Sequence, residues 1–335
     1  MILIISSYSD QSTNDVIDWL LYCGVPFIRI NEEDKITNIN IVINDILFDI
    51  EVTFFVKLIK KGIKVNSKQI EGYWYRRGKL NYDIEIGEVN KVFSQLKKNL
   101  ELDKDSVVEL IHTLLTTQSR SLGSYYKEAR KNKFLDLLMA KKVGLKIPKT
   151  VLSGSKKYIK KNYESLKRAL ITKNIRYPIN ITTENIRIGD PGTVVIGSKD
   201  INVWKENFLP AKFQEKLEKL YELRIFFIKD KLFSMAIFSQ KDEQTRVDFR
   251  NYNMSSPNRM IPYVLPLEIE DKIKQFIVNS ELDSGSIDIV VTPNDEFIFL
   301  EVNPAGQFGF VSFSCNYYLE KHIAEFFTNL DDSFF

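Results

Sequence analysis

The chain has 335 residues, with 47 Lys and Arg against 44 Asp and Glu, 44% hydrophobic residues, 14 Gly and 10 Pro, which excludes a disordered or collagen-like chain and suits two or three packed domains. Its two cysteines, Cys23 and Cys315, are too few for a disulfide framework or a Cys/His zinc site. The N-terminus MILIISSYSD lacks a signal-peptide pattern and no apolar run reaches membrane-spanning length, so a cytoplasmic location without membrane association is expected.

The net charge of +3 hides an asymmetry: between Lys127 and Lys173 stand 15 Lys and Arg against 3 Asp and Glu. Most of these read as solvated helix faces, and a few as groups that attract an anion. No helix-turn-helix, RNA-binding or zinc-finger signature accompanies the run, so nucleic acid is not an expected partner.

In chain order, ILIIS at residues 2–6 reads as a buried strand. Ser12 or Thr13 is placed to cap a helix through Tyr22 that Gly24 ends, and VPFIRI resumes as a strand. Alternation around INIVIND and ILFDIEV and the aromatic run YWYRRG predict further strands, followed by amphipathic helices between Glu88 and Thr116. Trp74, Arg76 and Arg77 read either as a contact surface, for a peptide or a homodimer, or as a core aromatic flanked by surface arginines.

A helix from about Ala129 to Val143, closed by Gly144, is followed by strand IPKTVLS, a Lys-rich helix and strand ALITK. Residues 174–198, with Pro178, Gly189, Pro191 and Gly192, read as hairpin and loop. KFQEKL, ELRIFFI and LFSMAIFSQ then read as strands, with a helix over 267–279. The expected domains are 1–120, 121–211 and 212–335 in an α/β (α+β) chain. His112 and His322 fall in helical apolar patterns and read as packed or surface groups, and no Ser-His-Asp or Cys-His arrangement emerges.

The last hairpin, SIDIVVTPNDEFIFLEVNP, carries the most specific chemistry. A two- or four-residue turn that pairs Pro293 with Glu296 sets Asp288 across from Glu301, and the period of two brings Asn303 to the same face. Opposed carboxylates repel, and a hard divalent cation such as Mg²⁺, itself holding phosphates, compensates. A solvent-facing hairpin is the competing reading, and a three-residue turn would shift the register and separate the pair.

GSIDIV followed by FLEVNPAGQFG resembles the ATP-grasp superfamily, in which the last metal ligands come as an Asp and then Glu-x-Asn. NKFLDLLMAKKVGLKIPKT and ITK are similar to its two lysine-bearing elements, KFQEKLEK to its adenine-side hinge, and ELRIFFI to its acidic-x-Arg strand. YWYRRG, RVDFRNY and GQFGFVSFSCNYYLEKHIA look most like peptide maturases of the microviridin or graspetide type, closest to those of grasp-with-SPASM systems.

The resemblance implies an ATP-grasp fold with an N-terminal pre-ATP-grasp α/β domain, a central domain that docks a leader peptide, and a C-terminal domain with the metal site. It implies ATP and Mg²⁺ as cofactors and a ribosomal precursor peptide, leader plus core, as substrate. Asp or Glu side chains would be activated as acyl phosphates and joined to Ser, Thr or Lys as ω-esters or ω-amides. Another ATP-grasp ligase, adding an amino acid to a protein or joining small molecules, is the alternative.

The implied nucleotide residues are Lys133, Lys173, Gln214, Glu215, Leu217, Glu218 and Glu222, the metal ligands Asp288, Glu301 and Asn303, and the residues that orient the acyl phosphate Arg224 and Arg246. The loop after Lys173 departs from the pattern, since it lacks the short Gly-rich flap of small-substrate relatives.

Overall fold

A computed structural model describes residues 1–43, 48–82, 91–163, 169–175, 181–183, 186–189, 192–240, 255 and 257–328. The chain forms two compact units, one of Met1–Arg130, Leu282–Gly285 and Pro304–Phe335, the other of Lys131–Glu281 and Ser286–Asn303.

The first unit opens with β1 (Ile2–Ser6), α1 (Gln11–Tyr22) and β2 (Phe27–Asn31). β1 is buried along its whole length, as an apolar strand between parallel neighbours must be. The cap of α1 is Asp10, not Ser12 or Thr13: its carboxylate accepts the Thr13 N–H at 2.9 Å and the Thr13 hydroxyl at 3.2 Å.

β3 (Lys35–Ile43), β4 (Phe48–Val56), β5 (Lys61–Asn66), β6 (Gly72–Tyr75) and β7 (Asn81–Tyr82) follow, then α2 (Lys91–Gln118), β8 (Arg120–Leu122) and α3 (Tyr125–Ala129). They make a parallel sheet, β2-β1-β6-β8, and a second sheet, β5-β4-β3-β7. One core joins Leu3, Ile5, Phe54, Tyr73, Ile111 and Leu115.

Trp74 and Arg76 are both buried, so neither reading of that cluster fits in full. Arg76 meets Asp10 at 3.4 Å and donates to the carbonyls of Ala305 and Gly306 at 2.9 and 3.2 Å, which fixes the turn that follows the last strand. Burial with a carboxylate and two carbonyls is how a guanidinium is kept inside a fold.

The second unit begins with α4 (Lys133–Lys142), β9 (Thr150–Ser155), α5 (Lys156–Tyr163), β10 (Leu170–Thr172), β11 (Ile181–Thr182), β12 (Arg187–Ile188), β13 (Val194–Ile196), α6 (Ser198–Val203) and β14 (Asn207–Glu215). The helix expected from about Ala129 to Val143 starts only at Lys133, and Ala129 is the last residue of α3. The Asn132 side chain accepts the Phe134 N–H at 3.1 Å and starts a new helix at Lys133. Strands β13-β10-β14-β9 form an antiparallel sheet over Ile159, Leu170, Ile201 and Phe213.

β15 (Tyr221–Ile228), β16 (Lys231–Phe238), β17 (Arg259–Pro262), α7 (Leu267–Asn279), β18 (Ser284–Val291) and β19 (Phe297–Asn303) complete it, with sheet order β17-β16-β15-β18-β19. Phe276 of α7 packs on Phe299, ring centroids 4.9 Å apart. The chain then returns to the first unit as α8 (Gly309–Cys315) and α9 (Leu319–Thr328), the latter against α1. The mixed α/β class expected from the alternation of elements is the class that forms.

Candidate active site

Opposition of Asp288 and Glu301 is achieved by a route the register arithmetic misses. The turn holds three residues, Pro293–Asp295, between Thr292 and Glu296, with Asp295 in the left-handed region and the Thr292 carbonyl accepting its N–H at 3.0 Å. Ladder pairs Val291↔Phe297 and Ile289↔Phe299 are therefore displaced by one from the expected register, and a bulge at Leu300 restores it. Asp288 ends across from Glu301, and Leu300 and Glu301, though consecutive, both line one cavity.

Glu301 is the electrostatic centre of the second unit. Its carboxylate lies 2.9 Å from the ammonium of Lys133 and 3.2 Å from that of Lys173. Burial opposes its ionisation, but the two lysines outweigh burial and hold the carboxyl well below its ordinary range. The start of α4 at Lys133 and the end of β10 just before Lys173 aim both side chains at this point.

Opposite, Asp288 accepts from Arg224 at 2.8 Å, and Asn303 accepts from Lys131, a residue no sequence signal singles out. Asp136, one turn into α4, is pushed up to about 6 by burial, against the pull of Lys131. Every side chain of the expected metal set thus faces a cation of this chain. Two opposed carboxylates and a carboxamide oxygen are the hard donors a divalent cation takes, with phosphate and water completing its shell. Among the described residues there is no group of three or more His, Cys, Asp or Glu that could hold a metal ion.

A cavity of about 320 Å³ runs from this cluster along the end of β14. Lys173, Gln214, Glu215, Leu217, Glu218, Glu222, Asp288 and Glu301 all line it, with Ile171, Val290 and Leu300 supplying apolar walls. β14 stops at Glu215, and residues 216–219 run beside the cavity outside any ladder.

Glu222 is buried and already engaged, 3.0 Å from the Lys219 ammonium and accepting the Ser239 hydroxyl at 3.0 Å; burial raises its pKa despite Lys219. Lys216 and Lys219, inside the hinge-like KFQEKLEK but given no role by the resemblance, also line the cavity. Arg224 sits beneath Asp288, while Arg246 lies outside the described residues.

No protein-family model matches the chain, and no curated protein does. Solved structures do. The chain superposes on a Chryseobacterium gregarium RiPP-associated ATP-grasp ligase in complex with ADP and a leader and core peptide, with TM-score 0.77 and 24% identity over 98% of this chain and 95% of that one. The chain has the ATP-grasp fold. The macrocyclase MdnC of Microcystis aeruginosa MRC, bound with precursor peptide MdnA, gives TM-score 0.75 and 24% identity over 98% of this chain and 99% of that one. The ATP-grasp ligase PsnB, complexed with a phosphomimetic variant of a minimal precursor, Mg and ADP, gives 0.68 and 14% over 98% and 97%. In the ATP-grasp fold of this chain, the cavity and the Glu301 cluster both lie within the unit that carries β9 to β19.

Proposed function

We propose that the protein is a Mg²⁺-dependent, ADP-forming ligase that activates side-chain carboxylates of a ribosomal precursor peptide and closes ω-ester or ω-amide rings. The Lys133–Glu301–Lys173 cluster at the end of the 320 Å³ cavity carries this reading, because it concentrates exchangeable cations and hard oxygen donors at one place. The neighbours that share the fold over nearly the whole chain, all three holding a leader, core or precursor peptide and two of them ADP, support the substrate class.

On this reading the apolar walls at Ile171, Leu217, Val290 and Leu300 take adenine, and the main chain of 214–217 takes its polar edge. On the same reading Glu218 or Glu222, both lining the cavity, takes the ribose hydroxyls. Lys133 and Lys173 exchange Glu301 for phosphate oxygens, which frees Glu301, with Asp288 and Asn303, to hold Mg²⁺. Bound there, Mg²⁺ would neutralise the phosphates and polarise the γ-phosphorus.

Arg224, released from Asp288 in the same exchange, and Arg246 orient the peptide carboxylate for attack on the γ-phosphate, with ADP leaving. A Ser or Thr hydroxyl or a Lys amine then attacks the acyl carbon, loses its proton and expels phosphate, so each ring removes the elements of one water. We place the work in the cytoplasm, in keeping with ATP use and the two free cysteines; among the described residues no helix is long and apolar enough to cross a membrane. The two antiparallel-rich sheets of the second unit are read as the central and C-terminal halves that enclose the nucleotide.

The test is mass spectrometry of a precursor peptide encoded beside the gene, rich in Thr, Ser or Lys and in Asp or Glu, after incubation with ATP and Mg²⁺. Loss of one water per ring is expected. Ligation of free amino acids, with precursor peptides inert, would move the assignment to another ATP-grasp ligase.

A further inference from the structure

Lys212 of β14 is 2% exposed, an unusual degree of burial for an ammonium. Alternation along β14 puts Lys212 on the face of Gln214, which lines the cavity. The β10–β14 ladder pairs Ile171 with Gln214 and Thr172 with Phe213, so one step further Lys173 stands across from Lys212. The Thr172 hydroxyl donates to the Lys212 carbonyl at 2.8 Å and pins the strands there.

Like charges directly opposed on neighbouring strands repel. Lys133 and Lys173 already share Glu301, and the charged groups facing Lys212 are Lys173, Lys133 and that same carboxylate. The Lys212 ammonium makes no hydrogen bond or ion pair with a described residue. Burial first, and the two lysines second, pull its pKa down to about 7. A Leu or Met of similar volume would fill the position without this penalty, so the lysine is maintained against folding stability.

We infer that Lys212 is a third cation of the polyphosphate subsite, unpaired when no anion is bound and satisfied only when phosphate oxygens enter beside Lys133 and Lys173. This rests on the nucleotide reading above but is separable from it, because it concerns the anion and not the adenine. Its consequence is discrimination by charge: a ligand with two or three phosphates relieves the repulsion, whereas adenosine leaves it in place.

Lys212→Met and Lys212→Leu are compared with the wild type by thermal unfolding and by calorimetric titration with adenosine, ADP, ATP and inorganic tripolyphosphate. Both variants are expected to unfold a few degrees higher than wild type without ligand. Both should bind ADP, ATP and tripolyphosphate about tenfold or more weakly, as expected for loss of a charged hydrogen bond, with adenosine unchanged. Lower unfolding temperatures in both variants, or unaltered tripolyphosphate affinity, would overturn the inference. If wild type binds tripolyphosphate in a Lys212-dependent way but no adenine nucleotide, the inference stands and the nucleotide reading falls. If nucleotide binding is indifferent to Lys212, the nucleotide reading stands and the inference falls, and no binding of either ligand removes both.

Discussion

Glu301→Gln keeps the shape of the side chain and one acceptor oxygen while deleting the charge that Lys133 and Lys173 share at 2.9 and 3.2 Å. Removing one partner of a fully buried pair costs about 3–5 kcal/mol. Here the lysine side chains are 15% and 14% exposed and can turn partly toward water, so we expect about 2–4 kcal/mol. For a unit of this size that lowers the midpoint by about 5–10 °C. The loss should be partly recovered by adding Lys133→Met, since the two sites are coupled.

Sign and pH window follow from the depressed carboxyl. Its contribution is complete above the ordinary value of 4.5 and is lost as pH falls from there through the folded value, so wild type and variant converge in acid. Urea unfolding of both proteins at pH 7 and at stepped values below 4.5 measures this. A variant within about 0.5 kcal/mol of wild type at pH 7, or a gap that does not narrow in acid, would refute the buried triad as the electrostatic centre.

Asp288→Asn should abolish ligation yet destabilise the ligand-free protein less than Glu301→Gln, because Asp288 is 16% exposed and meets one cation, not two; paired unfolding and turnover assays decide. ATP consumption followed by phosphorus NMR should yield ADP and phosphate, and AMP with pyrophosphate would exclude an acyl phosphate. His112, buried against Tyr73 with its pKa lowered to about 3 by burial, titrates near 6.5 only when unfolded. The wild type should therefore lose about 2 kcal/mol between pH 7 and 5, and His112→Phe should flatten that slope in urea titrations, equal slopes arguing against it. Removing the leader of a precursor should lower ligation efficiency and adding it as a separate peptide should restore part of it, unless the core alone reacts as fast as the full precursor.

Periodicity carries most of the fold: β1, β15, β16 and α7 form where alternation or a 3.6-residue stripe sets them. The break at residues 130–132 leaves no trace in the pattern because Arg-Lys-Asn contains neither Gly nor Pro, and Asn132 acts as a cap only once its side chain meets Phe134. Glu301 stands out through the hairpin pattern and Lys133 and Lys173 through the family resemblance, whereas Lys131 looks like any other lysine of the basic segment and Lys212 like an ordinary strand lysine until tertiary contacts engage the one and bury the other. Arg76 reads as a surface charge because its partners, Asp10 and the carbonyls of Ala305 and Gly306, lie far away in sequence.

The hairpin that presents Asp288 and Glu301 obeys a parity rule. The three-residue turn is one odd step and the bulge at Leu300 is another, and together they cancel. Straightening the bulge at Leu300 with the turn unchanged would set Leu300 opposite Asp288 and carry Glu301 to the other face. Tightening the turn to Asn294 and Asp295 as well would bring Glu301 back across from Asp288. The length of the β18–β19 tip is thus free to drift one residue at a time, provided each change is answered before position 301. What the strand pair transmits to the site is whether the count of irregularities is even.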